Sequence, residues 1–220
     1  MSNNRNLQDH YFKEAKRNGY RSRAAYKLIE IDEKKTIFKK GYFVLDLGSA
    51  PGSWLQVASE RVGSKGKVCG VDLKAIEGPL PTNVVTLQND VNKITTEYIE
   101  EILAIEEPSL FDVILSDMAP NTTGNKTIDH HGSMHLCNTV LDLVVLALKP
   151  HGDVVMKVFE GEAYPDLMNR AKKYFKLVKG FKPKASRAIS TELFLICKDR
   201  IENISSPMKH KSSLPKTGWN

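Results

Sequence analysis

The chain has 220 residues, 41% of them hydrophobic, and a formal charge of +6, which fits one globular domain with enough chain for a substantial core. No apolar run reaches membrane length, since residues 140–148 are broken by Asp142, and the opening six residues lack the apolar centre of a signal peptide. Cys69, Cys137 and Cys197 are odd in number, widely spaced and set in apolar segments, so they read as reduced core thiols of a cytoplasmic protein.

Two helices are predicted first, over 9–18 and 22–35, joined at Gly19-Tyr20, with Ser22 available to cap the second. Strands and helices then alternate: strand 42–46, helix 52–61, strand 67–72, strand 84–87, and a helix over 95–105 capped by Thr95 or Thr96. Residues 111–116 are almost continuously apolar, as in a strand buried on both faces. A long helix over 132–148 closes at Lys149-Pro150-His151-Gly152, followed by a strand over 153–158 and a helix over 162–175 with Pro165 in its first turn. Residues 177–181 and 192–197 are expected to form closing hairpin strands. The alternation predicts an α/β, doubly wound, seven-stranded sheet, mostly parallel with one antiparallel edge strand and helices on both faces. One domain over 1–200 is expected, with basic helices in 1–40 and a Ser/Lys/Pro-rich disordered tail over 201–220.

Charge is distributed unevenly. Residues 1–40 hold 11 Lys/Arg against 5 Asp/Glu, residues 41–120 hold 5 against 12, and residues 121–220 hold 16 against 9. Two basic flanks around an acidic middle suggest surfaces for RNA or another polyanion beside an acidic ligand pocket.

The segment Val44-Leu45-Asp46-Leu47-Gly48-Ser49-Ala50-Pro51-Gly52-Ser53-Trp54 reads as a buried strand turning directly into a helix, at the sheet edge where α/β folds bind ligands. Three residues separate Gly48 from Gly52 and no G-x-G-x-x-G occurs, while Asp46 would repel a pyrophosphate on the turn. A ligand with cationic and hydroxyl groups fits better, and S-adenosylmethionine carries a sulfonium, an ammonium and a ribose. Asp72 ends the second strand, where a carboxylate can grip a ribose diol; Asp90, after the third, could accept from an adenine amine. Asp117 follows the fourth strand and is aimed at the same edge. Lys157 interrupts an apolar strand, an expensive place for an ammonium unless it has work to do. His131 and His135 have i, i+4 spacing, but no third ligand is evident, so they and His130 read as helix-start residues and no metal is expected.

These blocks resemble the RrmJ/FtsJ (RlmE) family of S-adenosylmethionine-dependent ribose 2′-O-methyltransferases of large-subunit ribosomal RNA, over nearly all of residues 5–198. The carriers are Ser22-Arg23-Ala24-Ala25-Tyr26-Lys27-Leu28, Asp46 to Trp54, Ser116-Asp117-Met118-Ala119-Pro120-Asn121, Lys157-Val158-Phe159-Glu160-Gly161, and Ser186-Arg187 with Ser190-Thr191-Glu192. Ser53 stands where some relatives have a second glycine. The resemblance implies the Rossmann-like methyltransferase fold and a catalytic set of Lys157, Lys27, Asp117 and Glu192. It also implies S-adenosylmethionine contacts from Gly52, Trp54, Asp72, Asp90 and Asp117, with Asp46 and Gly48 in the same loop. Lys27 would oppose protonation of Lys157, whereas Asp117 and Glu192 would favour it. Arg17, Arg21, Arg23, Lys182, Lys184 and Arg187 are then candidates to hold RNA phosphates. The expected partner is ribosomal RNA, free or within the large subunit, with the enzyme a monomer and a uridine ribose the acceptor.

Three other readings stand beside this one. A sister activity on a tRNA anticodon loop, or an organellar version, shares the motifs. A nicotinamide-dependent oxidoreductase shares the fold class but lacks its glycine fingerprint. A non-catalytic RNA-binding protein would be expected to lose part of the Lys-Asp-Lys-Glu set.

Overall fold

A computed structural model describes residues 2–94, 98, 110–186 and 190–202, with side chains from His10 onward. The predicted helix over 95–105, Arg187 and the tail beyond 202 lie outside the described residues.

Two helices precede the sheet, α1 (Ser2–Arg17) and α2 (Ala25–Lys35). α1 starts seven residues before the predicted point, because its first turns are polar and present no apolar periodicity to read. α2 buries Ala25, Leu28 and Ile31 at helical spacing, together with Lys27. Ser22 does not cap it. Its hydroxyl donates to Ser53 Oγ at 2.8 Å and accepts from the Ala24 N–H at 3.2 Å, tying the approach to α2 onto the next helix.

The chain then enters β1 (Phe43–Leu47), α3 (Ser53–Val62), β2 (Lys67–Asp72), β3 (Val84–Gln88) and a short 3-10 turn (Val91–Lys93). From residue 111 it continues through β4 (Phe111–Ser116), α4 (Lys126–Ala147), β5 (Leu148–Phe159), α5 (Tyr164–Ala171), β6 (Phe175–Phe181) and β7 (Glu192–Arg200). Strand order is β3-β2-β1-β4-β5-β7-β6. The first four neighbouring pairs are parallel, and β7 runs antiparallel to both β5 and β6. The seven-stranded, mostly parallel sheet is as predicted, with the antiparallel strand inserted one position in from the β6 edge.

Three boundaries moved for physical reasons. α4 begins six residues early because Asn125 Oδ1 caps it, accepting from the Thr127 and Ile128 N–H groups at 3.0 and 3.3 Å. The predicted closing turn at Lys149–Gly152 lies inside β5 as an irregularity, where the register against β4 slips between Phe111 and Val113 and His151 takes φ +64°. α5 stops at Ala171, and the buried ring of Phe175 opens β6 instead of ending a helix.

The sheet is buried on both faces. Leu45, Leu47, Ile114, Met156 and Leu195 pack toward α4, against Val140, Leu141 and Val144. Val44, Leu115, Val155 and Phe194 pack toward α2 and α3, against Leu28, Ile31, Trp54 and Leu55. Alternation along each strand therefore puts Asp46, Asp117, Lys157 and Glu192 on the α2–α3 face. β1 and β4 are neighbours whose connections leave in opposite directions, the switch point at which such sheets open a crevice.

Within α4, Leu141 is fully buried and Ile128 is 56% exposed. Leu141→Ala should lower the unfolding free energy by about 2–5 kcal/mol, and Ile128→Ala by less than about 0.5 kcal/mol, in denaturant titrations.

Candidate active site

At the carboxyl ends of β1, β2 and β4 lies a cleft of about 260 Å³. Gly48, Ala50, Asp72, Asp90 and Asp117 border it. Gly48 has φ +76°, and a Cβ there would run into the Met118 side chain, so only glycine lets the β1 loop close over the β4 turn. Asp72 accepts from the Ala50 N–H with one oxygen and the Lys74 N–H with the other, both at 2.9 Å. It thus pins the loop to the end of β2 while its carboxylate faces the opening. Asp90 Oδ1 accepts from the Asn92 N–H and side-chain amide at 2.9 and 3.1 Å, fixing that carboxylate at the far wall.

Four apolar wall residues were not singled out by the sequence: Leu73, Val91, Met118 and Leu136. Three of them directly follow Asp72, Asp90 and Asp117 in the chain, so position after a strand-end acid was the signal available. An acid-rimmed cleft with apolar walls suits a ligand that joins a flat ring, a ribose and a cation. Asp117 Oδ1 is buried and has no hydrogen bond directed at it; the cation beside it is Lys157, 3.1 Å away.

Three loop residues with expected cofactor contacts, Trp54, Asp46 and Gly52, do not border the cleft. Trp54 is 2% exposed; its Nε1 donates to the Ala24 carbonyl at 2.9 Å and its ring lies 5.7 Å from that of Phe194. As the second residue of α3 it turns its side chain onto the sheet, leaving only backbone for a ligand. Asp46 is buried under the loop, neither oxygen hydrogen-bonded. Burial, and then the Asp117 and Asp72 carboxylates, push its carboxyl well above the ordinary range. Gly52, with φ +102°, heads α3 on the outer side of the loop, beside Arg21 and Ile76.

The four residues expected to act together do meet. Lys157 on β5 stands opposite Phe194 on β7, and Glu192 lies two residues further along the same face of β7. Lys157 Nζ donates to the Asp117 carbonyl and lies 3.1 Å from Asp117 Oδ1. That ion contact is close but too oblique to make a hydrogen bond to the carboxylate. Lys27 Nζ lies 2.6 Å from Glu192 Oε1 and 5.7 Å from the centre of the Phe194 ring. Burial raises the Glu192 carboxyl, but Lys27, a hydrogen bond from Ser186 and the charge of Lys157 outweigh it and hold the group ionised below its usual range. Ser186 Oγ donates to the same Oε1 at 2.8 Å. The result is an alternating row, Asp117–Lys157–Glu192–Lys27, with both lysine side chains about nine-tenths buried.

The proposed phosphate-binding cations divide. Arg21 is used internally: its guanidinium donates to the carbonyls of Pro51, Glu77 and Pro79, clamping the β1 loop to the loop after β2. Arg17 is 75% exposed, 3.7 Å from Glu14. Arg23 lies in the turn before α2. Lys182 Nζ donates to the Ser190 carbonyl, and the Lys184 backbone N–H donates to Glu30. Among the described residues no group of three His, Cys, Asp or Glu could hold a metal, and no helix is long and apolar enough to cross a membrane.

Comparison with known proteins agrees with this geometry. The FtsJ-like methyltransferase family matches residues 20–200. The Acinetobacter baylyi protein named ribosomal RNA large subunit methyltransferase E is 44% identical over 194 residues, 88% of each chain. A Plasmodium falciparum protein described as a ribosomal RNA methyltransferase superposes with a TM-score of 0.74 at 35% identity, over 84% of this chain and 100% of its own. Aeropyrum pernix fibrillarin, solved with natively bound S-adenosyl-L-methionine, shares the fold at a TM-score of 0.53 and 15% identity, over 79% of this chain and 73% of its own. The chain belongs to the FtsJ-like methyltransferase family and is an S-adenosylmethionine-dependent RNA methyltransferase.

Proposed function

We propose that this enzyme methylates a ribose 2′-hydroxyl, that of a uridine, in large-subunit ribosomal RNA, acting in the cytoplasm as a monomer. The observation that carries the reading is the buried Asp117–Lys157–Glu192–Lys27 row beside the cofactor cleft. The large-subunit RNA is the one printed in the relatives' names.

S-adenosylmethionine supplies an electrophilic methyl group when bound. Asp72 would take its ribose hydroxyls, Asp90 its adenine amine and Asp117 its ammonium, with Leu73, Val91, Met118 and Leu136 around the apolar parts. Lys157, as an ammonium, steadies the negative charge that grows on the 2′-oxygen as the hydroxyl proton passes to solvent water. The Asp117 carbonyl and carboxylate hold the Lys157 side chain, and Lys27 keeps Glu192 ionised. Attack at a pyrimidine ring through a covalent thiolate adduct finds no support. All three cysteines are buried, with Cys69 and Cys137 pushed up to about 12 and Cys197 raised as well. A nicotinamide reaction falls with the family assignment.

The direct test incubates purified enzyme and S-adenosylmethionine with large-subunit RNA, free or as subunits, from cells lacking this methyl group. A single new alkali-resistant ribose methylation is expected; a methylated base, or methylation of tRNA alone, would overturn the proposal. Lys157→Ala should reduce turnover by about 10²–10⁴-fold with cofactor affinity preserved.

Asp46 gives a pH test of the free enzyme. A carboxyl whose folded value is raised contributes stability below its ordinary range and loses it as pH rises through the raised value. Asp46→Asn should therefore match the parent near about pH 4 and be more stable at neutral pH, in unfolding titrations across that interval. A parent protein that stays equal to Asp46→Asn at neutral pH would contradict a raised Asp46 carboxyl.

A further inference from the structure

His130, on α4, is 3% exposed, while His131 and His135 of the same helix are exposed. Its two ring nitrogens meet groups of fixed and opposite roles. Nδ1 lies 2.8 Å from the Phe159 carbonyl oxygen, which can only accept. Nε2 lies 3.1 Å from the Ala163 backbone nitrogen, whose N–H can only donate. One state of the ring satisfies both: neutral, with its hydrogen on Nδ1. An imidazolium would point a second N–H at the Ala163 N–H.

The same face of α4 supplies two more bonds to this stretch. Ser133 Oγ accepts from the Phe159 N–H at 3.0 Å, and the Cys137 thiol donates to the Lys157 carbonyl at 3.2 Å. Burial pushes the Cys137 thiol up to about 12, so it keeps the proton it donates. Residues 130, 133 and 137 fall on one helical stripe, so a single rigid element grips the backbone from Lys157 to Ala163. Gly161 sits against the ring, and a Cβ there would collide with it. Next to it, the Glu160 N–H donates to the Thr191 carbonyl at 2.9 Å, one residue before Glu192.

We infer that His130 is a positioning residue for methyl transfer. As the neutral Nδ1–H ring it fastens the turn after β5 to α4, and so fixes where Lys157 and Glu192 stand relative to each other. The inference rests on the catalytic reading of those two residues. His130 thus acts through backbone, and the glycine of the Lys157–Gly161 block makes room for its ring.

The test uses the full chain with unmethylated large-subunit RNA. His130→Ala should lower kcat by about 10–100-fold, since small misplacements of reacting groups cost this much, with the S-adenosylmethionine Kd unchanged. His130→Gln, which offers a donor and an acceptor on one side chain, should recover most of the loss, and His131→Ala should behave as the parent. A parent-like kcat in His130→Ala, or a loss that His130→Gln leaves untouched, would overturn the inference. Nitrogen-15 NMR of the unmodified enzyme gives a readout independent of any variant's folding: an Nδ1-protonated neutral ring is expected at neutral pH, and an Nε2–H tautomer or an imidazolium overturns it. Activity retained in Lys157→Ala would instead sink the catalytic reading, so the two failures are distinguishable.

Discussion

The structure depends on one constraint, that two ammonium and two carboxylate groups be held almost out of water in alternating order. Taking such charges from water costs several kcal/mol each, and removing one partner leaves another stranded. The order Asp117–Lys157–Glu192–Lys27 answers that cost only if β4, β5, β7 and α2 keep their mutual register. Phe194 and Trp54 form an apolar floor under the row, which keeps water from screening it. Lys157 is thereby dry, oriented and compensated in the protein alone.

The cofactor side answers the opposite electrostatic demand. Asp46, Asp72, Asp90 and Asp117 crowd carboxyl groups around one loop, and burial with the Asp117 and Asp72 charges pushes the Asp46 carboxyl up. Arg21 adds a mechanical tie, since it grips three backbone carbonyls of the two loops that flank the cofactor cleft. Because Arg21 belongs to the turn between α1 and α2, the basic N-terminal helices and the cofactor loop are one mechanical unit.

Much of this was legible in the sequence, for reasons that differ by residue. β4 announced itself by a nearly continuous apolar run, and Lys157 by interrupting another. The strand-end acids followed from the topology, because every parallel strand delivers its last residue to the same edge. What stayed hidden were partnerships with backbone groups far along the chain. Arg21 looked like a phosphate contact because its carbonyl partners lie 30 to 58 residues away. His130 looked like part of a helix start because Phe159 and Ala163 lie 29 and 33 residues on. Trp54 looked like a ligand contact because it stands in the loop block, while the helix turn that aims it at Phe194 is set by packing. Backbone acceptors leave no mark in residue identity, so side chains that bind them are the ones a sequence reading misassigns.

If the charged row works as a unit, removing either member of its outer pair should disable the same thing. The decisive measurement is a double-mutant cycle on kcat with Lys27→Gln, Glu192→Gln and the combination. The account predicts that each single change costs a large factor and that the double variant is no slower than the worse single one. Independent, multiplicative losses from the two substitutions would show that Lys27 and Glu192 act separately, and would contradict it.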